Sequence, residues 1–564
     1  MFRIQHLFLL CTTLVGVLCK PNIILIITDD QDVRTGTLDF MPKLKSTLAE
    51  KGTAYERFYA PVSLCCPSRV SLLRAQYAHN HNITYVVGDF GGYQVFCEKG
   101  HNDKYLPLYL QRAGYGTYYT GKLMNGLAYD QIATQPPKGW THSDFLVDPN
   151  VYLYYNASFS SQSAAPVNYE GQFQVDVVRD KALGLLEEAL DPSQNGKPFF
   201  LGIAPTAPHL EVQIADGQFT EPVPRKGQEG LFEDVKVPRT PSFNAKARGA
   251  VSWLKNLEEL NKTEVDYTDH VYRQRLRVLQ PVDELVEAIV KKVEQAGREV
   301  SDNTYIIFTS DNGYALGSHR RMLGKTLPYE EDVLVPLIIR GPKIPANKRN
   351  KDDVYSMVDL GATILGLAGA DVQDYSVDGK DFLSNDRGVA KSKPRHALVE
   401  YWNAAVEEGI YARSTSISNT TYRSIRVKDD TGSEHDWVYG VWCTGERELY
   451  DLKTDPYQLH NLARNNNPET FSFSSPHTTR VASRLDALLI VLKTCVGETC
   501  RDPWKAFNVP GFSYSYSGSL SGALDPRYDA YFDSMPRFAY NECRFGYLED
   551  IESPTWSDDL AFRR

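Results

Sequence analysis

The chain has 564 residues, 42% of them hydrophobic and 12% aromatic, which is enough apolar material for a large core and excludes general disorder. That length suits one large domain plus a smaller one. A formal net charge of −10 argues against a nucleic-acid partner, which needs a basic face, and leaves an anionic substrate only a local basic pocket.

Residues 1–19 read as an export signal: Arg3 gives the positive start, Leu7 to Leu18 the apolar stretch, and cleavage falls near Cys19 and Lys20. The stretch is too short for a membrane span, and no later segment reaches about 18 apolar residues. The sequence therefore predicts a secreted protein, or one delivered to a cell-wall or periplasmic space. Four N-x-[ST] sequons, at Asn82, Asn156, Asn261 and Asn419, mark glycosylation candidates on such a route. Of nine cysteines, Cys11 and Cys19 leave with the signal, so seven remain. An odd number in an exported chain asks for one special thiol. The Cys495 to Cys500 spacing suits a small disulfide loop, Cys66 and Cys97 either pair or stay as buried thiols, and Cys65 is the odd one out.

Short β-rich runs follow in order: Asn22 to Thr28, Tyr115 to Thr120, Phe199 to Ala204, Thr304 to Ser310 and Val333 to Arg340. Their continuous apolar character predicts strands covered on both faces. Val177 to Leu190 and Arg273 to Val293 carry apolar residues at helical spacing. The alternation predicts an α/β fold, a large, mostly parallel sheet sandwiched by helices, with its ligand beyond the carboxyl ends of the strands. The first domain spans 20–390, with residues 211 to 270 an irregular excursion over its surface. A smaller α+β domain with an antiparallel sheet fills 391–564. Its strands are read at Tyr422 to Val427, Trp437 to Trp442 and the start of Glu448 to Pro456, and its Tyr- and Phe-rich tail beyond 501 wraps the body.

The chemistry gathers at the strand ends. Asp29 and Asp30 close one predicted strand, and Asp311 and Asn312 close another. Carboxylate and amide oxygens suit a hard cation, Ca²⁺ first and Mg²⁺ second. Cys65-Cys66-Pro67-Ser68-Arg69 precedes an apolar helical pattern, so Cys65 is placed just before a helix N-terminus, where free N–H groups favour an anion or a thiolate.

C-x-P-S-R is also the signature of type I sulfatases, members of the alkaline phosphatase superfamily. The chain resembles that family from Asp29-Asp30 to ELYDLKTDPYQLHNLA at 448–463. The CCPSR form, GKLMN and the DDQD opening are most similar to fungal arylsulfatases and glucosamine-6-sulfatase-like members. The resemblance implies that a formylglycine-generating enzyme converts Cys65 to formylglycine (3-oxoalanine). One divalent ion per subunit is then held by Asp29, Asp30, Asp311, Asn312 and the residue at 65. It further implies that the hydrated aldehyde, with Asp311 as base, attacks the sulfur of a small sulfate ester, while Arg69, Lys122, His209 and Lys325 hold the sulfate and the leaving oxygen.

Gln31 and Asp32 have no role in this scheme beyond supporting the loop. Asn125, in GKLMN, stands where many members carry a second histidine, and His79, His81 and His319 are read as structural. With no strongly basic run to hold a polyanion, an aryl sulfate is preferred. A glycan sulfatase or a phosphonate or phosphate ester hydrolase is the alternative, and a non-catalytic binding protein fits poorly.

Overall fold

Five parallel strands carry the molecule. The structure, a computed structural model, describes residues 20–214, 217–372, 375–383, 395–414, 416–428, 435–464, 471–507 and 519–554. The export segment 1–19 and the domain boundary near 391 lie outside the described residues. The large sheet contains β1 (Asn22–Thr28), β2 (Thr53–Tyr55), β3 (Gly116–Gly121), β4 (His142–Leu146), β5 (Ser158–Ser161), β6 (Val167–Asn168), β7 (Phe199–Ala204), β8 (Thr304–Ser310), β9 (Leu337–Arg340) and β10 (Lys348–Asn350). Their spatial order is β10-β2-β9-β8-β1-β7-β3-β4-β5-β6. The centre, β8-β1-β7-β3-β4, is parallel, while β9 pairs antiparallel to β8, and β5 to β4.

The unbroken apolar strands sort by alternation into two cores. Ile23, Leu25, Ile27 and Phe200 face helices α1 (Cys65–Arg74) and α4 (Met357–Ala368), against Val70, Leu73, Leu360 and Ile364. Ile24, Ile26, Leu201 and Phe308 face α2 (Gln174–Ala189) and α3 (Lys262–Gln295), against Val178, Leu186, Val282 and Ile289. The sheet is thus covered on both sides, as its composition predicts.

Two elements depart from the sequence reading. Helix α3 starts at Lys262, so the end of the supposed 211–270 excursion is helical. Asn261 caps it, accepting from the N–H groups of Thr263 and Glu264, while Glu264 reaches back in a capping box. The predicted run Val333 to Arg340 is not one strand: a helical turn, Glu330–Val333, precedes Pro336, and only Leu337–Arg340 joins the sheet, because proline cannot donate to a central ladder.

The smaller region has a four-stranded antiparallel sheet, β11 (His396–Tyr401), β12 (Tyr422–Lys428), β13 (Asp436–Trp442) and β14 (Arg447–Asp451), covered by α5 (Pro476–Leu492). Cys495–Cys500 forms the small disulfide loop, and a second disulfide joins Cys443 to Cys543, tying the tail to the sheet. Among the described residues, Cys65, Cys66 and Cys97 carry no disulfide, so three thiols there are unpaired, and counting alone does not single out Cys65. Among the described residues, no helix is long and apolar enough to cross a membrane.

Candidate active site

Strand register assembles the site. Thr28 pairs with Ser310 and Gly121 with Ala204, so the residues leaving β1, β8, β3 and β7 emerge together at one sheet edge. Asp29 and Asp30 leave β1, Asp311 and Asn312 leave β8, Lys122 leaves β3, and the loop after β7 brings His209. Gly121 has φ 103°, and a Cβ there would lie 2.1 Å from the Ala204 carbonyl oxygen, so glycine alone lets Lys122 turn inward.

Helix α1 enters beneath this edge. Cys65 is its first residue, not the one before it, with extended Leu64 as N-cap. The helix is anchored on the same loop: Ser68 Oγ donates to the Asp311 carbonyl at 2.5 Å and Arg69 Nε to Asp311 Oδ2 at 2.7 Å. Arg69 Nη1 donates to the Lys122 carbonyl at 2.6 Å. Cys65 Sγ lies 3.2 Å from Asp29 Oδ1 and 3.8 Å from Asp30 Oδ1, and Lys325 Nζ reaches it at 2.9 Å. Lys122 Nζ donates to Asp29 Oδ2 at 2.5 Å, and Lys325 Nζ donates to Asp30 Oδ1. His209 Nε2 sits 3.4 Å from Asp30 Oδ2, with Nδ1 fixed on the Leu210 carbonyl at 2.7 Å. The structure therefore brings Asp29, Asp30, Cys65, Arg69, Lys122, His209, Asp311, Asn312 and Lys325 into one buried cluster.

Burial alone would raise the carboxyl of Asp29, but Lys122, His209, Arg69 and Lys325 outweigh it and hold it well below the usual range. Asp30 is likewise held down against burial, chiefly by Lys325. Asp311 is pushed up, by burial and then by Asp29. Burial and then Asp29 push the Cys65 thiol well up, so burial beside a carboxylate overrides the thiolate preference that a helix N-terminus alone predicts.

Four atoms test the cluster for a cation. Ligand atoms of Asp29, Asp30, Cys65 and His209 all lie within 4.8 Å of one another. Asp30 Oδ2 and Asn312 Oδ1 are buried oxygens without a hydrogen-bond partner, a state that normally signals an ion or a strained site. The carboxylate and amide oxygens of the cluster, two of them orphaned, fit a hard divalent ion. Asp311 differs from its neighbours: Oδ1 accepts from the Asp30 and Asn312 N–H groups at 3.1 and 2.8 Å, and Oδ2 from Arg69.

Two family models match the chain, one described as Sulfatase over residues 21–370 and one as N-sulphoglucosamine sulphohydrolase, C-terminal, over 317–475. An arylsulfatase of Volvox carteri is 36% identical over 554 residues, covering 93% of this chain and 82% of that one. The chain belongs to the sulfatase family. It is a type I sulfatase of the alkaline phosphatase superfamily and a sulfuric ester hydrolase. The human N-acetylglucosamine-6-sulfatase is 30% identical over 536 residues, 89% of this sulfatase and 90% of that protein. A solved structure described in complex with its substrate D-glucosamine-2-N,6-O-disulfate superposes with a TM-score of 0.61 at 22% identity, over 78% and 93% of the two chains. The phosphonate monoester hydrolase of Silicibacter pomeroyi gives 0.52 at 16%, over 83% and 94%. Both likenesses concern the fold alone.

Three residues of this sulfatase's site escaped the sequence. Tyr152 stacks on His209. Arg275, on α3, donates to the carbonyls of Pro208 and Asp30, clamping both loops. Glu408 arrives from the smaller region on the strand Glu407–Glu408, which pairs with Leu323–Gly324 just before Lys325. Tyr314 donates to it at 2.8 Å, and burial pushes its carboxyl up, with Lys325 opposing. None lies in a motif; the only signal was Tyr152's place in a tyrosine-rich run.

The remaining histidines hold structure. His79 bridges Glu400 (2.7 Å) and the Cys495 carbonyl (2.9 Å), His81 contacts Ser71 Oγ at 2.9 Å, and His319 stacks on Tyr329. Asp32 accepts from the Thr35 N–H and hydroxyl, each at 2.6 Å, and Gln31 accepts from Thr28, so both brace the loop. Asn125 turns its amide to the Tyr152 hydroxyl.

Proposed function

We propose that the chain is an exported arylsulfatase, hydrolysing an aryl sulfate to the phenol and sulfate with a formylglycine made from Cys65 and one Ca²⁺, Mg²⁺ being the second choice. The observation that carries this reading is the pair of orphaned oxygens, Asp30 Oδ2 and Asn312 Oδ1, in the buried cluster that also holds Cys65, His209 and the three cationic side chains Arg69, Lys122 and Lys325. A formylglycine at position 65 would supply the hydrated aldehyde that attacks sulfur, a chemistry that lets the enzyme regenerate by expelling sulfate. A divalent ion held by Asp29, Asp30, Asp311 and Asn312 would supply Lewis acidity at that residue.

The chain's own groups do the rest. Asp29, at 3.2 Å, is within reach of a proton on residue 65. Asp311 lies opposite Arg69, which it holds in place. Arg69 Nη2 is buried and makes no hydrogen bond; it lies 3.5 Å from Asp29 Oδ2, which leaves its N–H groups to bind an anionic oxygen. Lys122, Lys325 and His209 hold sulfate oxygens and stabilise the leaving oxygen, in a site whose burial strengthens each interaction.

Export is supported by the signal-like segment, by two disulfides and by the exposure of Asn156, Asn261 and Asn419; Asn82 is half-buried. A sugar sulfate is the second reading, since Glu408 offers a carboxyl that can accept from a sugar hydroxyl. The test is mass spectrometry of the peptide containing residue 65, with rates on nitrophenyl sulfate, nitrophenyl phosphate and N-acetylglucosamine-6-sulfate with and without chelator. Formylglycine at 65 and chelator-sensitive preference for the aryl sulfate are expected. An unmodified thiol in fully active enzyme overturns the reading.

A further inference from the structure

Lys122 and His209 reach the sulfate site from different strands, and one side chain touches both. The Tyr152 ring stacks on the His209 imidazole with centroids 4.5 Å apart and planes at 30°. Lys122 Nζ lies 4.7 Å from the centroid of the same ring. Asn125 Nδ2 donates to the Tyr152 hydroxyl at 2.6 Å, which fixes the ring's rotation. All four side chains are buried. Tyr152 itself lies between β4 and β5, and that segment is docked on the His209 loop by the Tyr154 hydroxyl, which donates to the His209 carbonyl at 2.8 Å.

We propose that Tyr152 is the positioning residue that couples Lys122 to His209, its aromatic face fixing both side chains against the substrate's sulfate and leaving oxygen. A lysine stem has four rotatable bonds, and ordering it is costly in entropy. Its ion pair with Asp29 fixes the ammonium at one point, and the ring supplies a second. The π face attracts an ammonium most strongly where water is excluded, as here. His209 is held at its edge by the Leu210 carbonyl, with Asp30 Oδ2 3.4 Å from Nε2, and its face stacks on Tyr152. Asn125 thereby acts on the reaction through Tyr152. This inference rests on the sulfate-ester reading of the site.

The test compares the purified full-length enzyme with Tyr152→Phe, Tyr152→Leu, His209→Ala and the Tyr152→Leu/His209→Ala double variant. It measures kcat and KM on nitrophenyl sulfate and on phenyl sulfate, whose leaving oxygen needs more help, together with the affinity for inorganic sulfate. Tyr152→Leu is expected to lose about tenfold in sulfate affinity and more than that in kcat on phenyl sulfate, whereas Tyr152→Phe loses about threefold. In the His209→Ala background, Tyr152→Leu adds clearly less than it does alone, because the two share one function. Should Tyr152→Leu fail to fold, Tyr152→Met keeps the volume without an aromatic face and enters the same comparison. Wild-type values for the variant, equal losses on both esters, or full additivity with His209→Ala overturn the inference. A wild type that binds sulfate in a Tyr152-dependent way but turns over no sulfate ester overturns the function proposed above and leaves the positioning role intact.

Discussion

Two regions of this sulfatase bury charge, and they do so differently. In the smaller region, each carboxylate oxygen of a dense cluster has a partner. Glu400 accepts from His79 and Arg423, Glu552 from Trp402 and Arg423, and Glu448 from Tyr329, Tyr450 and Trp442. The unpartnered Arg423 Nη2 belongs to a guanidinium lying over the rings of Trp402 and Tyr547. At the edge of the parallel sheet, by contrast, Asp30 Oδ2, Asn312 Oδ1 and the Arg69 Nη2 donor make no hydrogen bond, and Asp30 Oδ2 and Arg69 Nη2 have only long ion pairs of 3.4 and 3.5 Å, to His209 and Asp29. A satisfied network fixes structure; an unsatisfied one of equal burial is poised for a ligand.

Substitutions can break this contrast. The largest effect is expected from Cys65→Ala, with turnover of nitrophenyl sulfate falling roughly a thousandfold or more and little change in the thermal midpoint. Arg423→Met is expected to do the reverse: stranding Glu400 and Glu552 costs about 3–5 kcal/mol in urea unfolding, while kcat per folded molecule stays within about twofold. Were Arg423→Met inactive yet stable, the division between the regions would fail. Asp30→Asn is expected to lower activity about a hundredfold and to lack the upward thermal shift that added calcium is expected to give the wild type.

A pH experiment sharpens the structural side. Burial pushes His101, His319 and His396 down to about 4. Their neutral forms contribute stability that is present above the unfolded value of about 6.5 and is lost as the pH falls towards 4. Between pH 7 and about pH 4.5, the wild type should lose about 2 kcal/mol more unfolding free energy than His319→Phe, which cannot titrate there. The smallest effect is expected at half-buried Cys97, where Ser should change stability by about 0.5 kcal/mol or less, since no disulfide with Cys66 exists to be lost.

The motifs were legible because their chemistry is local. DD after NIILIIT, DN after TYIIFTS, CCPSR opening an apolar helix and GK after a β run each show a strand or helix end beside a reactive group, and the sheet places them together. The two buried faces were legible in the same way, since unbroken apolar strands have no side to offer water. Pro336 was there to be read as a strand limit, and Asn261 with Glu264 as a helix start, but the apolar run and the charged surface masked them.

What the sequence by itself determined was the set of strand-end residues and the family they imply, because spacing along one strand or helix survives in one dimension. The tertiary structure alone decided which atoms are satisfied, through contacts between segments remote in the chain. Register brought Asp29 beside Asp311, a strand from the smaller region brought Glu408 to Lys325, and the Tyr152 ring came to lie against Lys122 and His209. Such contacts follow from how separate elements pack, and no local pattern carries them.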